Sequence, residues 1–273
     1  MQTAKFEIVT TKMGVLSIRD NVTQEIMHNP VGPWVEANSL YIEQSQMRSQ
    51  LAQDIAEELV VFDVGLGAGA NALATLHCAR GIENRRPLRL VSFERDLELL
   101  QFALENSKSF DHFQGFESAV ESILKNEIWE EPGIRWELRH GHFPDLIGHE
   151  PARANLIFFD PYSSSKNQEM WVTENFRKLR EKCAGDGMLF TYSRATPVRV
   201  AMLLAGFFVG VGTASGAKDE TTQASVRLQD LASPLGNPWL GKWQRSHQAN
   251  ALGADEKSWP RTKEFILNHT QFR

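Results

Sequence analysis

Cysteine is scarce in this chain of 273 residues: Cys78 and Cys183 are the only two, and neither sits in a CxxC or a Cys/His ligand spacing. That excludes a disulfide scaffold and a zinc module, and both cysteines fall in stretches that read as helical. Long apolar runs are absent as well, so no segment reads as a membrane span. The first residues, with Lys5 and Glu7 in an alternating segment, lack the apolar region of a signal peptide, so a reducing, cytoplasmic setting is expected. Positive charge is not in excess: the formal net charge is −5, which leaves a nucleic-acid partner only a local basic face. Internal repeats and low-complexity linkers are also missing.

What is present is alternation. Residues 5 to 20 alternate apolar and polar around Thr10, Thr11, Lys12, Met13 and Gly14, predicting a β-hairpin, and a loop through His28, Asn29, Pro30, Gly32 and Pro33 follows. From Glu36 to Glu58 the pattern is helical. Leu59 to Phe62 then reads as a short buried strand and opens a series in which strands at 88–93, 134–138, 155–159, 187–192 and 207–211 alternate with helices. Such a series implies a doubly wound, mostly parallel α/β sheet covered on both faces, a Rossmann-like architecture. Thr221 to Leu228 reads as a last strand without a crossover helix, hence antiparallel at or near an edge. The expected division is an N-terminal extension over 1–58, a core over 59–233 and a packed tail over 234–273.

The chemistry-bearing residues fall at strand ends. The run Asp63-Val64-Gly65-Leu66-Gly67-Ala68-Gly69-Ala70-Asn71 follows the first core strand, where glycines let the backbone approach a ligand. The next strand ends at Phe93 and is followed by Glu94, placed to accept hydrogen bonds from ribose hydroxyls. Together they predict a nucleoside pocket; alone, the loop could be a tight turn and Glu94 a helix N-terminal carboxylate. NAD or FAD is the competing ligand, but GLGAGAN is less apt for pyrophosphate than GxGxxG. The third strand is followed by His140-Gly141-His142, and His142 is the candidate for the adenine. Asp160, in Phe159-Asp160-Pro161-Tyr162, is expected at the reacting centre, where a carboxylate in apolar surroundings can orient an amine and take its proton. The bland alternative is an Asp-Pro turn.

His140, His142 and His149 do not have metal-ligand spacing, so no metal is expected. Arg177, Lys178, Arg180 and Lys182, with Arg194 and Arg199, could form a cationic face for RNA, aided by Trp239, Trp243 and Trp259; solvated charges and a packed tail are the ordinary outcomes.

These residues resemble a known family, the methyltransferase part of the tRNA wobble-uridine 5-methylaminomethyl enzyme MnmC and its stand-alone relatives. The likeness includes the hairpin, Met27-His28 with Glu36-Ala37, the Gly65 to Asn71 loop and, most specifically, Asp160 through Lys166-Asn167 to Met170-Trp171. It continues through Gly187 to Tyr192, Val198-Arg199 and Ala205-Gly206-Phe207. The resemblance implies S-adenosylmethionine as cofactor, bound through Asp63, Gly65, Gly67, Gly69, Asn71, Glu94 and Asp160, while His142 stands at the expected adenine position where methyltransferases of this fold often carry an acidic residue. It also implies Asp160 as the catalytic aspartate, and Tyr162, Lys166, Asn167 and Trp171 at the substrate. The implied reaction is methylation of the exocyclic amine of 5-aminomethyl-(2-thio)uridine in tRNA. The chain departs from the family at Pro161-Tyr162, where Gly-Phe is common, and at Lys218-Asp219-Glu220, where Lys-Arg-Glu is common. It has no room for the flavin-dependent domain of the bifunctional members. A methyltransferase of a small amine or a protein, and a non-catalytic cofactor- or RNA-binding module, remain as alternatives.

Overall fold

The computed structural model describes residues 4–27, 31–214, 219–246 and 250–273; His28, Asn29 and Pro30 of the expected loop, and Lys218, lie outside the described residues. Strands β1 (Phe6–Thr10), β2 (Leu16–Asp20) and β3 (Glu25–Ile26) form a small antiparallel sheet. The predicted hairpin is β1 and β2, paired from Phe6 with Asp20 to Thr10 with Leu16. The segment expected to be helical up to Glu58 is instead broken into α1 (Pro33–Ala37), a π turn (Asn38–Glu43) and α2 (Met47–Leu51). Gln46 adopts a left-handed φ of 53° between the last two, and the Ser45 hydroxyl bonds back to the Tyr41 carbonyl. Both interrupt a regular helix.

The main sheet contains β4 (Leu59–Val64), β5 (Leu88–Glu94), β6 (Ile128–Glu131), β7 (Ile134–His140), β8 (Ala154–Phe159), β9 (Cys183–Thr191), β10 (Phe208–Gly212) and β11 (Thr221–Ser225). Its order is β10-β11-β9-β8-β4-β5-β7-β6. The five central strands are parallel, as expected. β11 is antiparallel and lies near the edge, as expected, one strand in between β9 and β10; one detail differs from the sequence reading, β6 being an extra antiparallel strand at the far edge. Cys183 opens β9 rather than closing a helix. The helices are α3 (Ala70–Arg80), α4 (Glu98–Glu105), α5 (Glu117–Asn126), α6 (Phe143–Leu146), α7 (Thr173–Glu181), α8 (Thr196–Leu204), α9 (Asn237–Gln244) and α10 (Trp259–Leu267). Among the described residues, no helix is long and apolar enough to cross a membrane.

Side chains alternate across the central strands. Val61, Leu90, Leu156 and Phe158 enter one hydrophobic cluster, and Phe62, Val91, Ile157 and Phe159 enter the other. The first cluster also takes Phe6, Ile18, Leu40 and Tyr41 from the N-terminal segment, and the second takes Trp243 and Ile266 from the tail. Both faces of the sheet are thereby buried, as a parallel sheet requires. The chain leaves β4 toward β5 and β7, then returns to the other side of β4 as β8. The crevice beyond the carboxyl ends of β4 and β8 is the topological switch point, where open α/β sheets hold their ligands.

Candidate active site

At that switch point the loop after β4 touches the turn after β8. The Asp160 amide donates to the Val64 carbonyl at 2.9 Å. Gly65 has a φ of 92°, and a Cβ there would stand 2.8 Å from the Asp160 carbonyl oxygen and 2.9 Å from Pro161 Cα. Glycine is therefore needed twice over, for its left-handed backbone and for the close approach. Beside these loops lies a cleft of ≈ 630 Å³, lined by Gly65, Gly67, Asn71, Glu94, His142, Asp160, Tyr162 and Asn167 among others. Its size suits a nucleoside cofactor together with a small acceptor group.

Glu94 caps β5 and organises the glycine loop. One carboxylate oxygen accepts the Gly67 amide at 3.0 Å, and the other accepts the amides of Arg95 (2.7 Å) and Asp96 (3.0 Å). A carboxylate has about four lone-pair sites, so it can still accept a ligand hydroxyl. Asn71, in the first turn of α3, donates from Nδ2 to Asp160 Oδ2 at 2.8 Å, while its own Oδ1 is buried without a hydrogen-bond partner. The glycine cradle and this orphaned acceptor fit a bound polar ligand such as a nucleoside-type cofactor.

The Asp160 carboxyl is partly buried and faces the cleft. Burial is the main cause that pushes its pKa up to about 8, with the neighbouring Glu36 carboxylate adding to the effect and Asp63 contributing less. The Asn71 bond works in the opposite direction, as does Tyr41, whose buried hydroxyl lies close by but outside hydrogen-bond geometry. Asp160 is therefore a proton acceptor of unusual strength for a carboxylate, and it is held in position.

Four expected contact residues stand back from the cleft wall. Asp63 is buried within β4, accepts the Ser92 hydroxyl at 2.8 Å, and has a pKa raised to about 7, chiefly by burial. Gly69 turns the chain into α3 beneath Leu100. Lys166 sits in the turn whose amides bond to the Ser163 carbonyl. Trp171 is 0% exposed, donates its indole N–H to the Tyr162 carbonyl at 2.9 Å, and meets Phe159 and Tyr192 edge-on. It supports the Asp160 to Tyr162 turn from behind, which corrects the expectation of substrate contact. His142 does reach the cleft, with its two ring nitrogens beside Asp145 (3.0 Å) and Glu169 (3.4 Å). His140 points elsewhere, toward Glu127 at 3.9 Å.

The expected cationic face is largely committed to the fold. Arg199 is only 3% exposed: it pairs with Glu220 at 3.1 Å and donates to the Thr222 hydroxyl and the Thr221 carbonyl. Lys178, Arg180 and Lys182 donate to the carbonyls of Pro144, Gly206 and Glu150, and Arg177 pairs with Glu174. Of that set, Arg177 and Arg194 are exposed. Trp243 is buried and packs with Trp239 and Trp259, so the tail tryptophans close the core. Sequence reasoning missed Asp20, Glu25 and Glu36 as cleft residues. Glu36 left a signal, a lone acid in the apolar stretch Pro33 to Ala37; the two hairpin acids left none.

A family model described as S-adenosyl-L-methionine-dependent methyltransferase matches residues 120–227. Two curated relatives are named tRNA 5-methylaminomethyl-2-thiouridine biosynthesis bifunctional protein MnmC. That of Burkholderia vietnamiensis is 27% identical over 198 residues, covering 67% of this chain and 29% of the relative. That of Campylobacter concisus is 21% identical over 236 residues, covering 84% and 37%. The chain thus spans well under half the length of these relatives. The crystal structure of MNMC2 from Aquifex aeolicus superposes with a TM-score of 0.74 at 22% identity, covering 98% of this chain and 85% of that one, and shows the same fold. A glycine loop and an acidic strand end stand at the switch point of this sheet, and the chain is similar over residues 120–227 to S-adenosyl-L-methionine-dependent methyltransferases and over most of its length to part of MnmC.

Proposed function

We propose that the chain methylates the exocyclic amine of a 5-aminomethyluridine, with or without the 2-thio group, at the wobble position of tRNA. The observation that carries this reading is the Asp160 carboxyl, part-buried at the cleft beside the glycine loop and held by Asn71, with a pKa pushed up to about 8. The tRNA modification in the names of the curated relatives supports the choice of substrate. In this reading Gly65, Gly67, Asn71 and Glu94 hold the cofactor, His142 flanks its adenine, and Tyr162 and Asn167 border the base.

S-adenosylmethionine, when bound, supplies an electrophilic methyl group on a sulfonium. An alkylammonium has no lone pair, so the amine must lose a proton as its nitrogen bonds to the methyl carbon. Asp160 receives that proton and, fixed by Asn71, holds the nitrogen in line. With the bonding pair left on sulfur, the products would be a protonated secondary amine and S-adenosylhomocysteine, the one proton lost by the ammonium resting on Asp160. Positive charge entering the cleft favours the ionised carboxyl, so the base is available when both partners are bound.

Asp160→Asn keeps the shape and removes the base. Single-turnover methylation of tRNA bearing 5-aminomethyluridine, at saturating cofactor, is expected to slow by about a hundredfold or more while cofactor affinity changes little. Near-normal chemistry in the variant would reduce Asp160 to a turn residue. The internal commitment of Arg199 and its neighbours favours a second reading, a small diffusible amine as acceptor, which methylation of free amines in preference to tRNA would support.

A further inference from the structure

The described walls of the cleft carry seven carboxylates, Asp20, Glu25, Glu36, Glu94, Asp96, Asp160 and Glu169, against Lys5, Arg95 and His142. The three basic side chains all have acidic partners: Lys5 bonds Asp96 and Glu98, Arg95 reaches Glu169 at 3.4 Å, and His142 lies between Asp145 and Glu169. They line the cleft with Glu94 and Asp96, whereas Asp20 and Glu25 come from the N-terminal sheet and Glu36 from α1.

Among the acids outside the Rossmann-like core, Glu36 is the one whose charge acts on Asp160. It is 9% exposed, lines the cleft, and raises the pKa of Asp160 through its charge. Buried Asn71 Oδ1, also on the cleft wall, offers a further acceptor with no protein partner, and so does the Tyr41 hydroxyl close behind. The Glu36 charge opposes ionisation of Asp160, and a cation brought beside the two relieves that opposition. A neutral uracil ring brings none, and a phosphate is repelled.

We propose that Glu36 is the specificity-determining residue of this methyltransferase, the carboxylate that with Asp160 admits an acceptor bearing an ammonium and turns away the unmodified base and the phosphate backbone. The inference rests on the amine-methylation reading and deepens it. It divides the work between two acids, Glu36 holding the charge of the incoming ammonium and Asp160 taking its proton. The phosphates of a tRNA substrate then stay outside the cleft.

Other groups bear on the same pair: Tyr41 from the π turn, Tyr192 beyond β9, Asp63 in β4 and Asn71 in α3, with Lys5, Arg95 and His142 also on the cleft wall. Glu36→Gln removes one charge and leaves the rest. Three measurements on the full chain test the proposal. First, the carboxyl carbon of Asp160, followed by NMR in ¹³C-labelled protein and assigned with Asp160→Asn, is expected to titrate at lower pH in Glu36→Gln, by about one pH unit or more. Second, KM for tRNA bearing 5-aminomethyluridine is expected to rise about tenfold or more, the range for losing a charged partner, with the acidic limb of the rate profile shifted the same way. Third, cofactor affinity by calorimetry should stay within about twofold, and Glu36→Asp should restore part of both effects. An unchanged Asp160 titration together with an unchanged KM overturns the role of Glu36. Failure of the wild-type protein to methylate that tRNA overturns the underlying reading instead, and the NMR titration still decides whether the two acids act as a pair.

Discussion

Removing the base should make the protein more stable, and by an amount that depends on pH. The Asp160 carboxyl has a folded-state pKa of about 8 against an ordinary 3.8, chiefly because of burial. A carboxyl with a raised pKa binds more protons in the folded state than in the unfolded state, so stability falls as pH climbs between these values. At 1.36 kcal/mol per pH unit, holding Asp160 in the fold costs about 1.5 kcal/mol at pH 5 and about 4 kcal/mol at pH 7, as upper bounds. Asn has no proton to lose, and its carbonyl oxygen can still accept the Asn71 bond now made at 2.8 Å. For a chain of this size, each kcal/mol moves Tm by about 2–4 °C. Thermal unfolding without cofactor should therefore show Asp160→Asn melting several degrees above wild type at pH 7 and 8, with the gap closing toward pH 5. A gap that stays constant from pH 5 to 8, or a variant less stable throughout, would refute the claim that this carboxyl is held against its preference. The same substitution is expected to slow turnover by about a hundredfold or more, so the site would carry a cost in stability that its chemistry requires.

Glu94→Ala should weaken S-adenosylmethionine binding by about 1–3 kcal/mol in calorimetry, because it removes a charged acceptor and releases the Gly67 amide that orders the loop; unchanged affinity would take Glu94 out of the site. Arg199→Met should lower stability by about 1–3 kcal/mol in denaturant unfolding, since it leaves the buried Thr221 carbonyl and Thr222 hydroxyl without the guanidinium, and should leave the salt dependence of tRNA binding as it was. A loss of one phosphate contact's worth of salt slope in that variant would return Arg199 to the RNA surface.

The parallel series was legible because β4, β5, β7 and β8 are short apolar runs separated by helical patterns, and burial on both faces writes that signal directly into residue type. The glycine loop and Asp160 were legible because the topology assigns function to strand ends, whichever way the remaining strands pair. Position in the sheet was less so: β11 reads Thr-Thr-Gln-Ala-Ser, polar enough for an edge, yet it is buried between β9 and β10 with Thr222 bonding the Ser193 carbonyl. Arg199 looked like part of a helical charge run because sequence spacing cannot distinguish a solvated guanidinium from one that finds Glu220 and two threonines across the fold. Trp171 looked like a ligand contact, and only packing against Phe159 and Tyr192 assigns it to the back of the turn. By itself, then, the sequence determined the sheet, the glycine loop and the acid at the end of β8, because backbone freedom and hydrophobic periodicity are local. The charge of the cleft was decided by tertiary structure alone: Asp20, Glu25 and Glu36 come from segments that the sheet pattern does not include, and the effect of Glu36 on Asp160 exists only where folding brings the two carboxyls together.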